Sequence, residues 1–102
     1  KQVVHMRVSG KRYRFLVEKI HHSDQVIRYR VSGRNRSIVI QSNEPFFRNR
    51  GMKHRRPDWK LWEGQLREAG FLNQLIKMLE GVRYQELHPP LPGQPPNTHR
   101  RY

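Results

Sequence analysis

The fold is decided by a seven-residue stretch, Arg12-Tyr13-Arg14-Phe15-Leu16-Val17-Glu18, in which charged and apolar side chains alternate. In an extended chain, successive side chains point to opposite faces, so Tyr13, Phe15 and Val17 share one face. The arginines and the glutamate share the other face. This alternation, interrupted at Leu16, predicts a β-strand with one buried and one solvent-exposed face.

Two further stretches repeat the pattern, at 26–31 and at 36–41, and the polar segments 21–25 and 32–35 separate them as hairpin loops. A fourth strand is predicted less strongly at 4–8, before the others. The apolar faces set the register of the second hairpin, with Val31 opposite Ile38. For the first hairpin, a five-residue loop with Phe15 opposite Val31 keeps like charges apart, because a shorter loop would place Arg14 against an arginine.

After these strands the period of two is lost. Residues 45–56 form a basic loop, and Pro57-Asp58 predicts the start of a helix that carries Trp59 and Trp62. Gly70 is expected to separate it from a second helix, and Gly81 to lie near that helix's C-terminal cap. The second helix has one apolar stripe, which consists of Leu72, Leu75, Ile76, Leu79 and Val82.

The fold class is therefore α+β: an antiparallel meander of three strands, or four with the segment at 4–8, packed on a C-terminal amphipathic helix. Residues 1–83 form one small domain. Residues 84–102 hold five of the seven prolines and are expected to be an extended or disordered tail, in which Pro89-Pro90-Leu91-Pro92 is similar to ligands of WW-type domains. Met6 is a candidate natural start, which would make residues 1–5 a remnant of an expression vector.

The charge indicates the class of partner. The chain of 102 residues has 21 Lys and Arg against 8 Asp and Glu, a formal net charge of +13. Residues 1–60 hold 16 of the basic and 4 of the acidic residues, so 16 − 4 = +12 of this charge lies in the first part. Such an excess favours a polyanionic partner, and we expect DNA or RNA, bound mainly through its phosphates.

Two groups of residues are predicted to bind nucleic acid. One is the basic loop, where aromatic residues lie between the cations, and the other is the arginine-rich face of the sheet with its second turn. The first group consists of Arg48, Arg50, Lys53, His54, Arg55, Arg56 and Lys60, and the second of Arg12, Arg14, Arg28, Arg30, Arg34, Asn35 and Arg36.

Two other functions remain open. The basic surface could bind an acidic protein, a ribosomal particle or an anionic lipid surface, or the chain could be a small ribonuclease with His54 as general base. The chain contains no cysteine, phosphate-binding P-loop or nucleophile elbow, which narrows the enzyme classes. We expect no cofactor and no metal, since His21-His22 with Asp24 lacks a further matched ligand. The absence of a signal peptide or membrane span favours an intracellular protein of unknown oligomeric state.

Overall fold

A computed structural model of the chain describes residues 1–52, 54–67 and 69–89. They form one five-stranded antiparallel sheet with a short helix between the last two strands and a long helix at the end. The strand order follows the sequence, so the sheet is a simple meander. The elements are β1 (Gln2–Val8), β2 (Lys11–His22), β3 (Ile27–Ser32), β4 (Ser37–Ser42), α1 (Glu44–Asn49), β5 (Trp59–Glu63) and α2 (Ala69–Leu87).

The hairpin turns follow from local sequence. Ser9 and Gly10 have φ angles of 52° and 80° and join β1 to β2 in two residues, the length at which positive φ matches the twist of the strands. In the next turn the Ser23 hydroxyl accepts hydrogen bonds from the backbone N–H groups of Gln25 and Val26. The predicted strand at 4–8 is therefore confirmed as part of β1, which begins at Gln2.

The predicted register holds for one hairpin and fails for the other. Val31 lies opposite Ile38, as the apolar faces of β3 and β4 require. The five-residue first loop is wrong, because β2 continues to His22 and places Val17, not Phe15, opposite Val31. An irregularity between Lys19 and His21 shifts the pairing within this longer ladder. In the observed register Glu18 lies opposite Arg30, so opposite charges still face each other.

The predicted helix after Pro57 is wrong, because residues 59–63 form the edge strand β5 beside β4. Trp59 and Leu61 pack against the core, while Lys60 between them is exposed, which is a period of two. The spacing of Trp59, Trp62 and Leu66 also fits one face of a helix, which is why the sequence predicted a helix here. Gly64 ends the strand with a φ of +99°, and a Cβ on it would lie 2.7 Å from a methyl carbon of Ile38.

The predicted basic loop at 45–56 is partly helical, since it contains most of α1. Its ends are held together where β4 stops and β5 starts. The Asn43 side-chain oxygen accepts the backbone N–H of Asp58 at 2.7 Å, and the Asn43 N–H donates to the Asp58 carbonyl at 3.2 Å. One asparagine thus closes the base of the segment between the two strands.

Helix α2 covers one face of the sheet, as its apolar stripe predicts. Leu75, Leu79 and Val82 are buried, and Leu72 and Ile76 pack against them. The sheet contributes alternate side chains to the same core, namely Phe15, Val17, Ile27, Tyr29, Val31, Ile38 and Ile40. The combination of a meander sheet with a C-terminal helix is therefore confirmed.

The ends of α2 differ from the expectation. Gly70 is its second residue and Gly81 lies in its interior, so neither glycine marks a boundary. The helix continues to Leu87, four residues past the boundary drawn at 83 from composition. The WW-type ligand prediction lies outside the described residues from Pro90 onward. Within the described residues, no helix is both long and apolar enough to cross a membrane.

Two glycines provide a matched stability test. Gly64→Ala should lower the free energy of unfolding by about 2 kcal/mol or more, because alanine strains a positive φ and meets Ile38. Gly81→Ala should raise it by about 0.5–1 kcal/mol, because a helix favours alanine and the added Cβ enters open space. Urea denaturation of both variants measures this, and equal effects of the same sign would contradict the assignment of β5 and α2.

Candidate functional site

The face of the sheet opposite α2 carries most of the sheet's charge; we call it the open face. Alternation along β2 and β3 places the arginines here, away from the buried Phe15 and Tyr29. The described cations on this face are Arg7, Arg12, Arg14, Arg28, Arg30 and Lys60. The predicted sheet arginines thus share one face, and Arg7 joins them opposite Arg12.

Two of these arginines already have partners within the protein. Arg28 donates from Nε to the Gln41 side-chain oxygen at 2.7 Å, and its guanidinium lies 4.0 Å from the centre of the Trp62 ring. Arg30 lies 3.5 Å from a carboxylate oxygen of Glu18. Trp62 is about half exposed (49%), so this aromatic residue is a surface group capped by Arg28. The middle of the open face is therefore partly neutralised and ordered.

Arg12 and Arg14 lie where the sheet is incomplete. The last pair between β2 and β3 is Leu16 with Ser32, after which the chain turns at Gly33 into β4. The first five residues of β2 continue beyond that pair and bond only to β1. The β1–β2 hairpin therefore projects past the β3–β4 turn and leaves a gap between the two, which we call the arginine notch.

Two cavities meet in the arginine notch and share Tyr13, Phe15, Gly33 and Arg34 as lining residues. One, of about 780 Å³, opens beside Arg12 and Arg14. The other, of about 460 Å³, extends toward α2 and is lined by Leu66, Phe71 and Leu75. The described lining residues of the two cavities include no acidic side chain but five arginines, which are Arg12, Arg14, Arg34, Arg36 and Arg67.

The predicted residues Arg34, Asn35 and Arg36 form the turn at one wall of the notch. All three are exposed, and the turn is closed by a hydrogen bond of 2.8 Å from the Gly33 N–H to the Arg36 carbonyl. Gly33 lies over the ring of Phe15, where an added Cβ would be 3.5 Å from the nearest ring carbon. The turn thus places two arginines beside the rings of Tyr13, Phe15 and Phe71, which we call the aromatic floor.

The basic loop lies at the other end of the sheet, and its residues differ in role. Arg48 pairs with Glu44 at 2.8 Å and is half-buried, so it stabilises α1. Arg50 and Arg55 lie over the rings of Phe46 and Phe47, at 4.5 and 5.5 Å from the ring centres, and both remain exposed. His54 and Arg56 are exposed as well, and Lys53 lies outside the described residues.

Sequence reasoning missed Arg7, Arg67 and the aromatic floor. Arg7 alternates with Met6 and Val8, so its signal was present in the strand pattern. Arg67 had no local signal, because only the return of β5 beside β4 brings residues 65–67 close to Arg36 and Ser37. Tyr13 and Phe15 were assigned to the core, which holds for the buried Phe15 and for Tyr13 packed against it, but because β2 is longer than β3 both also line the notch.

An ionic network around the buried Arg83 lies on the side of the sheet that faces α2. Arg83 is 6% exposed and donates to carboxylate oxygens of Glu44 at 2.9 Å and Glu86 at 3.1 Å. The Tyr29 hydroxyl donates to the same Glu86 oxygen at 2.8 Å, and Lys19 lies 3.6 Å from it. This network joins α1, α2, β2 and β3 through charge-assisted hydrogen bonds.

The network shifts three pKa values. Burial raises the pKa of Tyr29 above its usual value, and the hydrogen bond to the Glu86 carboxylate adds to the effect. Burial alone would lower the pKa of Arg83, but the hydrogen bonds to Glu44 and Glu86 outweigh it and raise the pKa. The pKa of His22 is lowered by burial and then by the charges of Arg83 and Lys19.

The two histidines that were considered together as metal ligands, His21 and His22, do not lie side by side on one face of the sheet. His21 lies opposite Arg28 and His22 opposite Ile27, so the two rings point to opposite faces of the sheet. No hydrogen bond orients the ring of His54 among the described residues. Within the same residues, no group of three His, Asp or Glu side chains has the arrangement of a metal site.

No family model, no curated protein and no solved structure matches this chain. We therefore infer the function of the chain from the geometry of its own residues.

Removal of Arg83 should be costly. Arg83→Leu leaves the half-buried Glu44 and the exposed Glu86 without their shared cation, although each keeps another partner, so the free energy of unfolding should fall by about 2–3 kcal/mol. Arg30→Leu, which breaks the exposed pair with Glu18, should cost less than about 1 kcal/mol. Urea titrations at neutral pH compare the two, and similar losses would show that the network does not stabilise the fold.

The Tyr29 hydroxyl should make stability sensitive to alkali. Because the pKa of Tyr29 is raised in the folded state, folding favours the protonated hydroxyl. This contribution to the free energy of unfolding is lost as the pH rises above 10, the ordinary pKa of tyrosine. Tyr29→Phe should cost about 1 kcal/mol at neutral pH through the lost hydrogen bond. Its stability should then fall less steeply than that of the parent above pH 10. Parallel slopes in chemical denaturation across that range would contradict this.

Proposed function

We propose that this protein binds nucleic acid through its phosphates, with the arginine notch as the principal contact and the basic loop as the second. The observation that carries the proposal is the set of five arginines around an apolar notch whose described lining includes no carboxylate. Guanidinium groups donate in a planar fork that matches phosphate oxygens, which makes arginine well suited to such contacts.

The distribution of acids supports the same surface. Glu44 and Glu86 pair with Arg83, and Glu18 pairs with Arg30 in the middle of the open face. None of these three acids lines either cavity of the notch. Arg12 and Arg7 even face each other across β1 and β2, a like-charge pair that is unfavourable unless an anion lies between or beside them.

The separation of the two basic regions indicates the length of nucleic acid needed. Strand β4 runs from the notch turn to the start of α1 and has six residues, or about 20 Å. At about 3.4 Å per nucleotide along one strand of a duplex, this distance corresponds to roughly six nucleotides. A duplex shorter than that would reach only one of the two regions.

The proposal predicts a steep salt dependence that maps to the notch. Fluorescence anisotropy with an oligonucleotide of about 20 nucleotides, from about 50 to 300 mM sodium chloride, should give log K falling linearly with log salt. The double variant Arg12→Ala, Arg14→Ala should reduce the slope by about 2, because two phosphate contacts are lost. Arg50→Ala, Arg55→Ala should have a similar or smaller effect, since the loop makes the second contact.

The matched control is Lys77→Ala, which removes an exposed cation from α2 on the other side of the sheet. It should leave the slope within error. A flat salt dependence of the parent protein, or equal effects of the control and the notch variant, would overturn the proposal. Competition with polyglutamate tests the alternative of an acidic protein partner: equal displacement at equal charge concentration would favour that partner over nucleic acid.

A further inference from the structure

We propose that the arginine notch holds one unpaired nucleotide, with its base against Tyr13 and Phe71 and its flanking phosphates on the surrounding arginines. This inference rests on the proposed nucleic-acid binding and narrows it to single strands. The two cavities, of about 780 and 460 Å³, fall in the range of small-molecule sites of about 300–1,000 Å³.

The aromatic floor supplies the surface for a base. Tyr13 and Phe15 are stacked with ring centres 5.8 Å apart and an angle of 8° between their planes. Phe71 of α2 lies tilted against both, at 5.3 and 6.1 Å. Phe15 is buried, whereas Tyr13 and Phe71 are half-buried, so these two rings are the part of the aromatic floor that a base can reach. Stacking of a base on such rings is independent of sequence, because every base has a π face.

The arginines surround this floor on both sides. Arg12 and Arg14 line the cavity on the open face, and Arg36 and Arg67 line the cavity toward α2. Arg34 belongs to both cavities and stands where they meet. A strand that crosses the notch can therefore keep a phosphate near an arginine before and after the nucleotide whose base enters.

This arrangement disfavours a duplex as the occupant. In a duplex each base is stacked on its neighbours, and extruding one costs a few kcal/mol, whereas a base in a single strand is already accessible. The apolar lining, with Leu66, Leu75 and Ile38, also offers nothing to a phosphate and gains from burying a base. Phosphate binding alone would not require such a lining.

The test separates bases from phosphates. Affinity is measured for a single-stranded oligonucleotide, for an abasic oligonucleotide of the same length and charge, and for a duplex. We expect the parent protein to bind the single strand about 5- to 150-fold more tightly than the abasic chain, the range that stacking of one base gives. Phe71→Leu should remove most of that preference while leaving binding of the abasic chain unchanged.

A second variant keeps the test decisive if Phe71→Leu does not fold. Gly33→Val adds methyl groups where an added Cβ makes only ordinary contact with Phe15, so it narrows the notch without removing a cation. It should also reduce the preference for bases. The control is Tyr84→Leu, which removes an exposed aromatic residue near the other end of α2, about 20 Å along the helix from Phe71. It should bind like the parent.

The outcomes distinguish the two proposals. Equal affinity for the single strand and the abasic chain, with steep salt dependence, would overturn the notch inference and leave phosphate binding intact. No binding of any oligonucleotide would overturn both. Loss of base preference in the Tyr84 variant as large as in the Phe71 variant would also overturn the inference, because the effect would not come from the notch.

Discussion

The side chain of Arg83 links the two helices of this protein to its sheet. Its guanidinium reaches Glu44 at the start of α1 and Glu86 near the end of α2, and Glu86 in turn accepts the Tyr29 hydroxyl of β3. Burying an arginine costs free energy unless its N–H groups donate hydrogen bonds, and here two carboxylates accept them. The position of α1, and with it the start of the basic loop, therefore depends on an ion pair contributed by the last helix.

This network also influences the distribution of charge over the molecule. A chain with only 8 acidic residues against 21 basic ones uses two of its glutamates, the half-buried Glu44 and the exposed Glu86, in ion pairs with Arg48 and Arg83. They do not offset the cations of the open face and the notch. Because these glutamates pair on the side of the sheet that faces α2, the open face and the arginine notch keep an excess of positive charge.

The sequence predicted the parts of this structure that depend on local alternation. The strands β2, β3 and β4, the pairing of Val31 with Ile38 and the apolar stripe of α2 each follow from side-chain period and face. Strand β5 did not, because Trp59, Trp62 and Leu66 also fit a helical spacing over so short a segment. What decides for the strand is pairing with β4 and the close approach of Gly64 to Ile38, which are contacts between distant residues.

The notch could not be predicted for the same reason, since it arises from a difference in length between neighbouring strands. Sequence alternation shows that Arg12 and Arg14 lie on one face of a strand. It does not show that β2 extends past its last pair with β3, which is Leu16 with Ser32. Because the extension is paired on only one side, Tyr13 and Phe15, which a strand pattern assigns to the core, also line the notch. One face of one strand therefore serves two environments: Val17, inside the full sheet, packs in the core, and Tyr13 and Phe15, at the incomplete end, also line a cavity surrounded by arginines.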